Sequence, residues 1–402
     1  MIIMKFFDSN EWRTLWPFYL YSLIIGSFFI IMPFLVIFFN NIGLTFKQIS
    51  TLLAILFISP IMFEVPTGAF ADAYGRKFSV IIGDFFFGLT IFIIPLIKNY
   101  NGLILIFLLW GLSSSFTSGA DSAWVVDLLK HKKQSKLVHN YFVKIRSIAS
   151  FGAIVSGVLG SILVKYYGLN IIWYVSGIAI MLSTIFLWFF SKEYFKKKKH
   201  SFLSLTKKTF NNFKVSFNYG FKHPVLLYLI LGGFFIMLSA MGDVAWQPYF
   251  KDLGIPVYFF GYIFSASALI VIGLPFLAKP LLKKFKKEKY YLAFLILFLS
   301  LVLFSVYFIF SPILAVIAFI LISFPFELKG PVEDTYFQKF IPNKIRASVG
   351  SVKAMILRIG GGISLLIGGY LADIVGPKMV IVYSGLFVLP AIVFYLLIKE
   401  KR

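Results

Sequence analysis

The sequence predicts an all-α integral membrane protein with twelve transmembrane helices in two parallel six-helix bundles. Three observations predict it: an apolar composition, a series of apolar runs of bilayer length, and a one-sided distribution of Lys and Arg. The 402 residues are 59% hydrophobic and only 14% charged, with 50 Phe, 21 Tyr and 7 Trp. Soluble domains hold about 45–50% apolar and about 25% charged residues. That comparison excludes a cytosolic globular enzyme. The net charge of +23, from 39 basic and 16 acidic residues, would point to nucleic acid in a soluble chain but to basic cytoplasmic loops in a membrane chain. Cysteine is absent, which removes disulfides, thiolate metal sites and thiol nucleophiles.

Apolar runs fall at 14–39, 46–70, 78–97, 102–129, 141–165 and 171–190, then at 225–249, 257–278, 290–310, 312–334, 347–372 and 378–398. Each can cross the roughly 30 Å hydrocarbon core, where only helices and closed barrels satisfy the backbone. The runs are continuous rather than alternating, so they predict helices. The first is expected to be a retained membrane helix, because Met1–Arg13 carries Lys5, Asp8, Glu11 and Arg13 and no small-residue cleavage site follows. Thr45 with Gln48 forms a capping-box pattern ahead of the second run. Pro224, Pro256 and Pro312 stand where first helical turns tolerate proline.

Orientation follows from the basic residues. Lys47, Lys98, Lys165, Lys251 and Lys378 fall in one set of connections, and Lys144, Arg146, Lys329, Lys353 and Arg358 lie in or near the runs. The remaining 29 of the 39 fall in the other set. This bias predicts a multi-pass protein of the cytoplasmic membrane with both termini in the cytoplasm. It also removes nucleic acid as a partner. The expected domains are 1–190 and 224–402, joined by a basic cytoplasmic linker, 191–223, that contains Lys196–Lys199. Phe210, Phe213, Phe217 and Phe221 share one helical face in it, which predicts an interfacial helix with its lysines near anionic headgroups.

The two halves repeat. A shift of 208 aligns Gly152, Ser156, Gly160, Gly168, Ser176 and Gly177 with Gly360, Ser364, Gly368, Gly376, Ser384 and Gly385. A shift of 211 aligns Phe39–Leu44 with Phe250–Ile255. Two separate matches at nearly one shift imply six plus six helices, with the second half oriented like the first.

Between the second and third runs stands Gly68-Ala-Phe-Ala-Asp72-Ala-Tyr-Gly75-Arg76-Lys77. It resembles the signature loop of the major facilitator superfamily, Gly-x-x-x-Asp-x-x-Gly-Arg-Lys. Phe63–Gly68 and Ser118–Trp124 resemble a prokaryotic branch of that family. The resemblance covers essentially the whole chain and implies the family's fold. It implies that Gly68, Asp72, Gly75, Arg76 and Lys77 form a conformational latch that stabilises the outward-open state, with Asp127 as a partner for Arg76. Gly68 is expected to admit a neighbouring helix, Gly75 a tight turn, and Asp72 to face the N-terminus of the eleventh span. Ala73 stands where the family often has a basic residue. The fourth span has no Arg and the fifth no Pro, so the resemblance does not extend to the motifs of drug/proton antiport.

Ionisable residues inside membrane spans are costly and therefore functional candidates. They are Glu64, Asp84, Asp121, Arg146, Asp243, Glu327, Lys329 and Arg358. By the resemblance, spans one, four, seven and ten line a central cavity, which favours Asp121, Asp243, Glu327 and Lys329. Asp121 and Lys329 correspond under the 208 shift and are expected to pair or exchange partners. Asp243, Trp246 and Gln247 lie close enough in sequence to bind an organic solute together, and Glu64 is positioned to carry a proton. Glu333 and Asp334 read as gate or surface charges. All four His lie in connections, so no intramembrane His relay is expected.

The expected function is secondary active transport of a small organic solute by alternating access, with proton coupling left open and membrane lipids as surroundings. A flippase for lipids or lipid-linked molecules and a non-transporting sensor are the alternatives. No protease, hydrolase or nucleotide-loop motif occurs, so no enzyme, cofactor or metal is expected. The chain is expected to act as a monomer.

Overall fold

The computed structural model describes residues 7–194, 215–343 and 345–399. Nearly all of these are helical, and no strand occurs among the described residues. Among the described residues, eleven helices are long and apolar enough to cross a membrane, and one bent pair counts as a twelfth. Spans one to six are Ser9–Asn41, Phe46–Tyr74, Arg76–Leu96, Tyr100–His131, Leu137–Tyr167 and Ile171–Phe190. Span seven is Pro224–Asp252, span nine Glu288–Phe308, span ten Pro312–Gln338, span eleven Ser348–Val375 and span twelve Pro377–Leu397. Span eight is the bent pair Phe259–Val271 and Leu274–Leu282, at 42°. Gly273 and Pro275 stand at its bend, where proline removes a ladder donor.

Several spans outrun their apolar cores. Span one starts at Ser9, so Glu11 lies inside the helix. Span two runs to Tyr74, so Asp72 lies in its last turn. Spans one, four and seven are also interrupted. Span one breaks after Phe28 and resumes with the 3₁₀ turn Met32–Phe34. Span four breaks at Ser118 and Gly119. Span seven passes through a 3₁₀ stretch, Leu238–Val244.

The spans gather into two compact units. The first holds the described residues through Phe34, those from Ser59 to 194, and Tyr258–Ser265. Inside it, span five crosses span one where a Cβ on Gly152 would stand 2.8 Å from Gly26 Cα. An aromatic core of Phe18, Tyr19, Trp124 and Tyr141 joins spans one, four and five. The second unit holds Leu35–Ile58, the described residues from 215 to Val257, and those from Ala266 onward. There Gly360, the repeat mate of Gly152, brings span eleven onto Phe234 of span seven, where a Cβ would meet the ring at 2.9 Å. The repeated glycines thus sit at equivalent crossings, as expected where helices associate by close packing.

Phe210 and Phe213 of the expected interfacial helix lie outside the described residues. Residues 215–222 are helical, with Phe217 stacked on Phe221 at 4.3 Å. Tyr219 Oη donates to Phe340 O at 2.8 Å, and the His223 ring lies 5.3 Å from that of Phe340. This segment therefore docks on the end of span ten. Burial pulls the His223 pKa below its ordinary 6.5. The docked segment thus favours neutral His223, and its contribution to stability is present above pH 6.5 and lost as the pH falls through and below it. Unfolding temperature in detergent should drop between pH 7 and pH 5.5, and His223→Phe should remove part of that pH dependence, as differential scanning fluorimetry would show.

Candidate functional site

Within the first unit is a cavity of about 290 Å³ lined by spans one, three, four, five and six. Its polar groups are few. Asp84 comes from the middle of span three, Tyr21 from span one, Asp121 from span four and Tyr141 from the start of span five. Asp84 is 6% exposed, and Tyr21 Oη donates to its carboxylate. Phe87 and Trp124 add aromatic walls, and Trp124 is fixed from behind by its indole N–H donating to Lys192 O at 3.1 Å. No Lys, Arg or His is among the described residues that line it.

The break in span four positions Asp121. Gly119 adopts φ +75°, a left-handed conformation that costs other residues energy. A new helix starts at Ala120, so Asp121 falls in its first turn, where the helix dipole favours a negative charge. The carboxylate is exposed to the open space beside it and accepts from Ser122 N. Interrupted helices at a polar midpoint are a recurrent way of building a binding site in membrane carriers. Two carboxylates thus face one cavity with no basic side chain among its described lining residues.

Both units carry a buried glutamate held by lysine and tyrosine. Glu11, 1% exposed, pairs with Lys144 at 2.5 Å and accepts from Tyr19 Oη at 2.6 Å. Glu333, 2% exposed, pairs with Lys329 at 2.5 Å and Lys353 at 2.7 Å, and accepts from Tyr395 Oη at 3.1 Å. Lys144 and Lys353 occupy nearly equivalent places on spans five and eleven of the repeat. The Glu333 cluster borders a second cavity, of about 320 Å³.

The signature loop is well defined. Arg76 pairs with Asp127 at 2.5 Å and donates to Ala123 O at 2.8 Å. Lys77 Nζ donates to Trp188 O and Ser191 O, the unpaired carbonyls at the end of span six. Glu193, which sequence reasoning missed, accepts from the N–H groups of Arg76 at 2.6 Å and Lys77 at 3.1 Å, capping span three. Gly75 makes that possible, with φ +109° and a Cβ position only 2.8 Å from the Glu193 carboxylate. Asp72 is half-buried and makes no ion pair among the described residues. Gly68 has no atom within 4 Å of its Cβ position.

The other candidates are dispersed. Lys329 pairs inside its own unit with Glu333. Glu333 is a buried anchor rather than a surface charge, whereas Asp334 is exposed. Asp243 is exposed, but Trp246 packs on Phe250 and Phe319 with centroids at 5.6 and 5.2 Å. Gln247 Oε1 accepts from Ile37 N at 3.0 Å. Asp243, Trp246 and Gln247 therefore do not converge, because the 3₁₀ stretch changes the angular spacing of side chains ahead of the last helix. Glu64 is exposed and Glu327 half-buried, and neither forms an ion pair among the described residues. Asp84, Tyr21 and Tyr141 were not legible as cavity residues, because their convergence depends on the packing of three separate spans.

The profile of the Major Facilitator Superfamily matches residues 18–364. The chain belongs to the major facilitator superfamily. It is a multi-pass membrane transporter of that family. It is 26% identical over 398 residues to the uncharacterized MFS-type transporter YxaM of Bacillus subtilis (strain 168), covering 96% of each chain. It is 25% identical over 235 residues to the multi-drug resistance efflux pump PmrA of Streptococcus pneumoniae, covering 57% of this chain and 56% of the pump. Among solved structures, it superposes with a TM-score of 0.75 at 15% identity on a bacterial homolog of the human lysosomal transporter Spinster, covering 97% of each chain. These major facilitator neighbours share the helical membrane fold described above.

Removing Glu333 takes the 2.5 Å partner from Lys329 and leaves Lys353 with Asp334 at 3.6 Å. Glu333→Ala should destabilise this transporter by roughly 3–5 kcal/mol, and Glu11→Ala, which removes one ion pair rather than two, by less. Urea or thermal unfolding in detergent would measure both. Gly119→Ala should cost about 1–2 kcal/mol through backbone strain alone, because its Cβ position is open.

Proposed function

We propose that this chain is a secondary active transporter that moves a small organic solute across the cell membrane by alternating access. We further propose that the acidic aromatic cavity of the first unit takes the cationic part of that solute, or a coupling proton. The carrying observation is the cavity itself: Asp84 and Asp121 facing it beside Tyr21, Phe87 and Tyr141, without a basic lining residue. Carboxylates attract a cation by charge, and aromatic faces attract it through their quadrupoles. The similarity to an efflux pump of multi-drug resistance supports an organic solute, and the similarity to YxaM along almost the whole chain supports transport by the same fold. No nucleotide-binding segment is present in the sequence, so an ion gradient or the solute's own gradient supplies the driving force.

The test uses purified protein in proteoliposomes and a permanently charged probe, tetraphenylphosphonium, with an anionic dye as control. Binding and counterflow of the cation should exceed those of the anion. Asp121→Asn and Asp84→Asn should each weaken cation binding by about tenfold or more, equivalent to about 1.4 kcal/mol. Glu64→Gln should leave cation binding nearly unchanged. An imposed proton gradient should alter flux in the native protein and lose its effect in at least one Asp variant if the cavity also carries the proton. Cation binding that is indifferent to both Asp changes would remove this cavity from the mechanism.

A further inference from the structure

The start of span two is capped from another helix. Thr45 supplies the local part: its Oγ1 accepts from Gln48 N at 3.2 Å, while Gln48 Oε1 accepts from Thr45 N at 3.0 Å. The N–H groups of Phe46 and Lys47 remain, and first-turn donors have no acceptor within their own helix. Asp373, in the last turn of span eleven, takes both. Its Oδ1 accepts from Phe46 N at 2.9 Å and its Oδ2 from Lys47 N at 2.9 Å. The carboxylate also meets the positive end of the helix dipole. The two helices touch closely there, since any Cβ on Gly369 would overlap Ser50 Oγ.

Span two changes allegiance along its length. Residues up to Ile58 belong to the second unit, and those from Ser59 belong to the first. The end held by Asp373 is opposite the signature loop. Two further contacts hold the adjoining end of span one in the same unit: Gln247 to Ile37 N, and Lys251 Nζ to Asn41 Oδ1 at 3.2 Å. The sequence around Asp373, Gly369-Tyr-Leu-Ala-Asp373-Ile-Val-Gly376-Pro-Lys378, repeats the Gly-x-x-Ala-Asp-x-x-Gly-x-Lys spacing of Gly68–Lys77. One copy stands at the loop end of span two. The other grips its opposite end from span eleven.

We propose that Asp373 is a releasable clasp: its bidentate hold on the first turn of span two keeps the transporter closed on the face opposite the signature loop, and letting go opens that face. The proposal rests on alternating access, but its test needs no solute, so failure of the cation experiments would not decide it. The native chain has no cysteine, which allows single reporters. Ser50→Cys, buried against Gly369, reports exposure at the clasped face to a membrane-impermeant maleimide. Ala354→Cys, lining the Glu333 cavity, reports exposure at the other face.

Adding Asp373→Ala should raise labelling of the first reporter about fivefold, the worth of one good cap, and lower labelling of the second. Asp373→Asn should give a smaller shift of the same sign. Thr45→Ala removes the local cap without freeing span eleven and should produce no reciprocal change. The proposal is overturned if Asp373→Ala leaves both rates within twofold or raises both together. It is equally overturned if Thr45→Ala gives the same reciprocal shift.

Discussion

In hydrocarbon every backbone donor and every charge needs a partner inside the protein, and the features of this transporter follow from that constraint. Unbroken helices meet it without help. At three span ends a side chain from elsewhere supplies the missing partner. Glu193 caps span three, Asp373 caps span two, and Lys77 closes span six from its carbonyl end. The interruption of span four is different, because its new N-terminus and the carboxylate of Asp121 lie at the edge of a cavity. That is where the fold leaves an electrostatic demand that a ligand can meet.

Buried charge elsewhere is neutralised at once. Glu11 pairs with Lys144 and Tyr19 in one unit, and Glu333 with Lys353, Lys329 and Tyr395 in the other. A paired ion of this kind contributes little net stability compared with an apolar substitute but is costly to break. It therefore fixes which faces of the spans meet more than it strengthens them. The near-equivalence of Lys144 and Lys353 under the repeat shows both halves solving one problem with the same residue, while recruiting the glutamate from different spans. Lys329 is the addition that makes the second set unequal, and it places a positive charge beside a cavity.

The signature loop shows how a motif and its surroundings divide the work. Arg76 to Asp127 was expected from the resemblance, and the ion pair is present. Glu193 was not expected, because it lies more than 100 residues away in a basic linker with no pattern to mark it. The need for Gly75 comes from that unseen carboxylate as much as from the turn itself.

The sequence by itself determined the fold class, the twelve spans, the duplication and the family, because each is written in runs of twenty or more residues or in repeated spacing that no packing detail can reverse. It also nominated Asp121, a charge in the middle of an apolar run being costly wherever the helices go. Only the tertiary structure decided the partners. Asp84, Tyr21 and Tyr141 meet Asp121 across separate spans, Lys329 turns to Glu333, and Trp246 and Gln247 are used up in packing. The physical reason is that hydropathy places a residue in the membrane but not around the helix axis. That angle is set by close packing at glycine crossings and by 3₁₀ breaks, whose rotation no apolar pattern records.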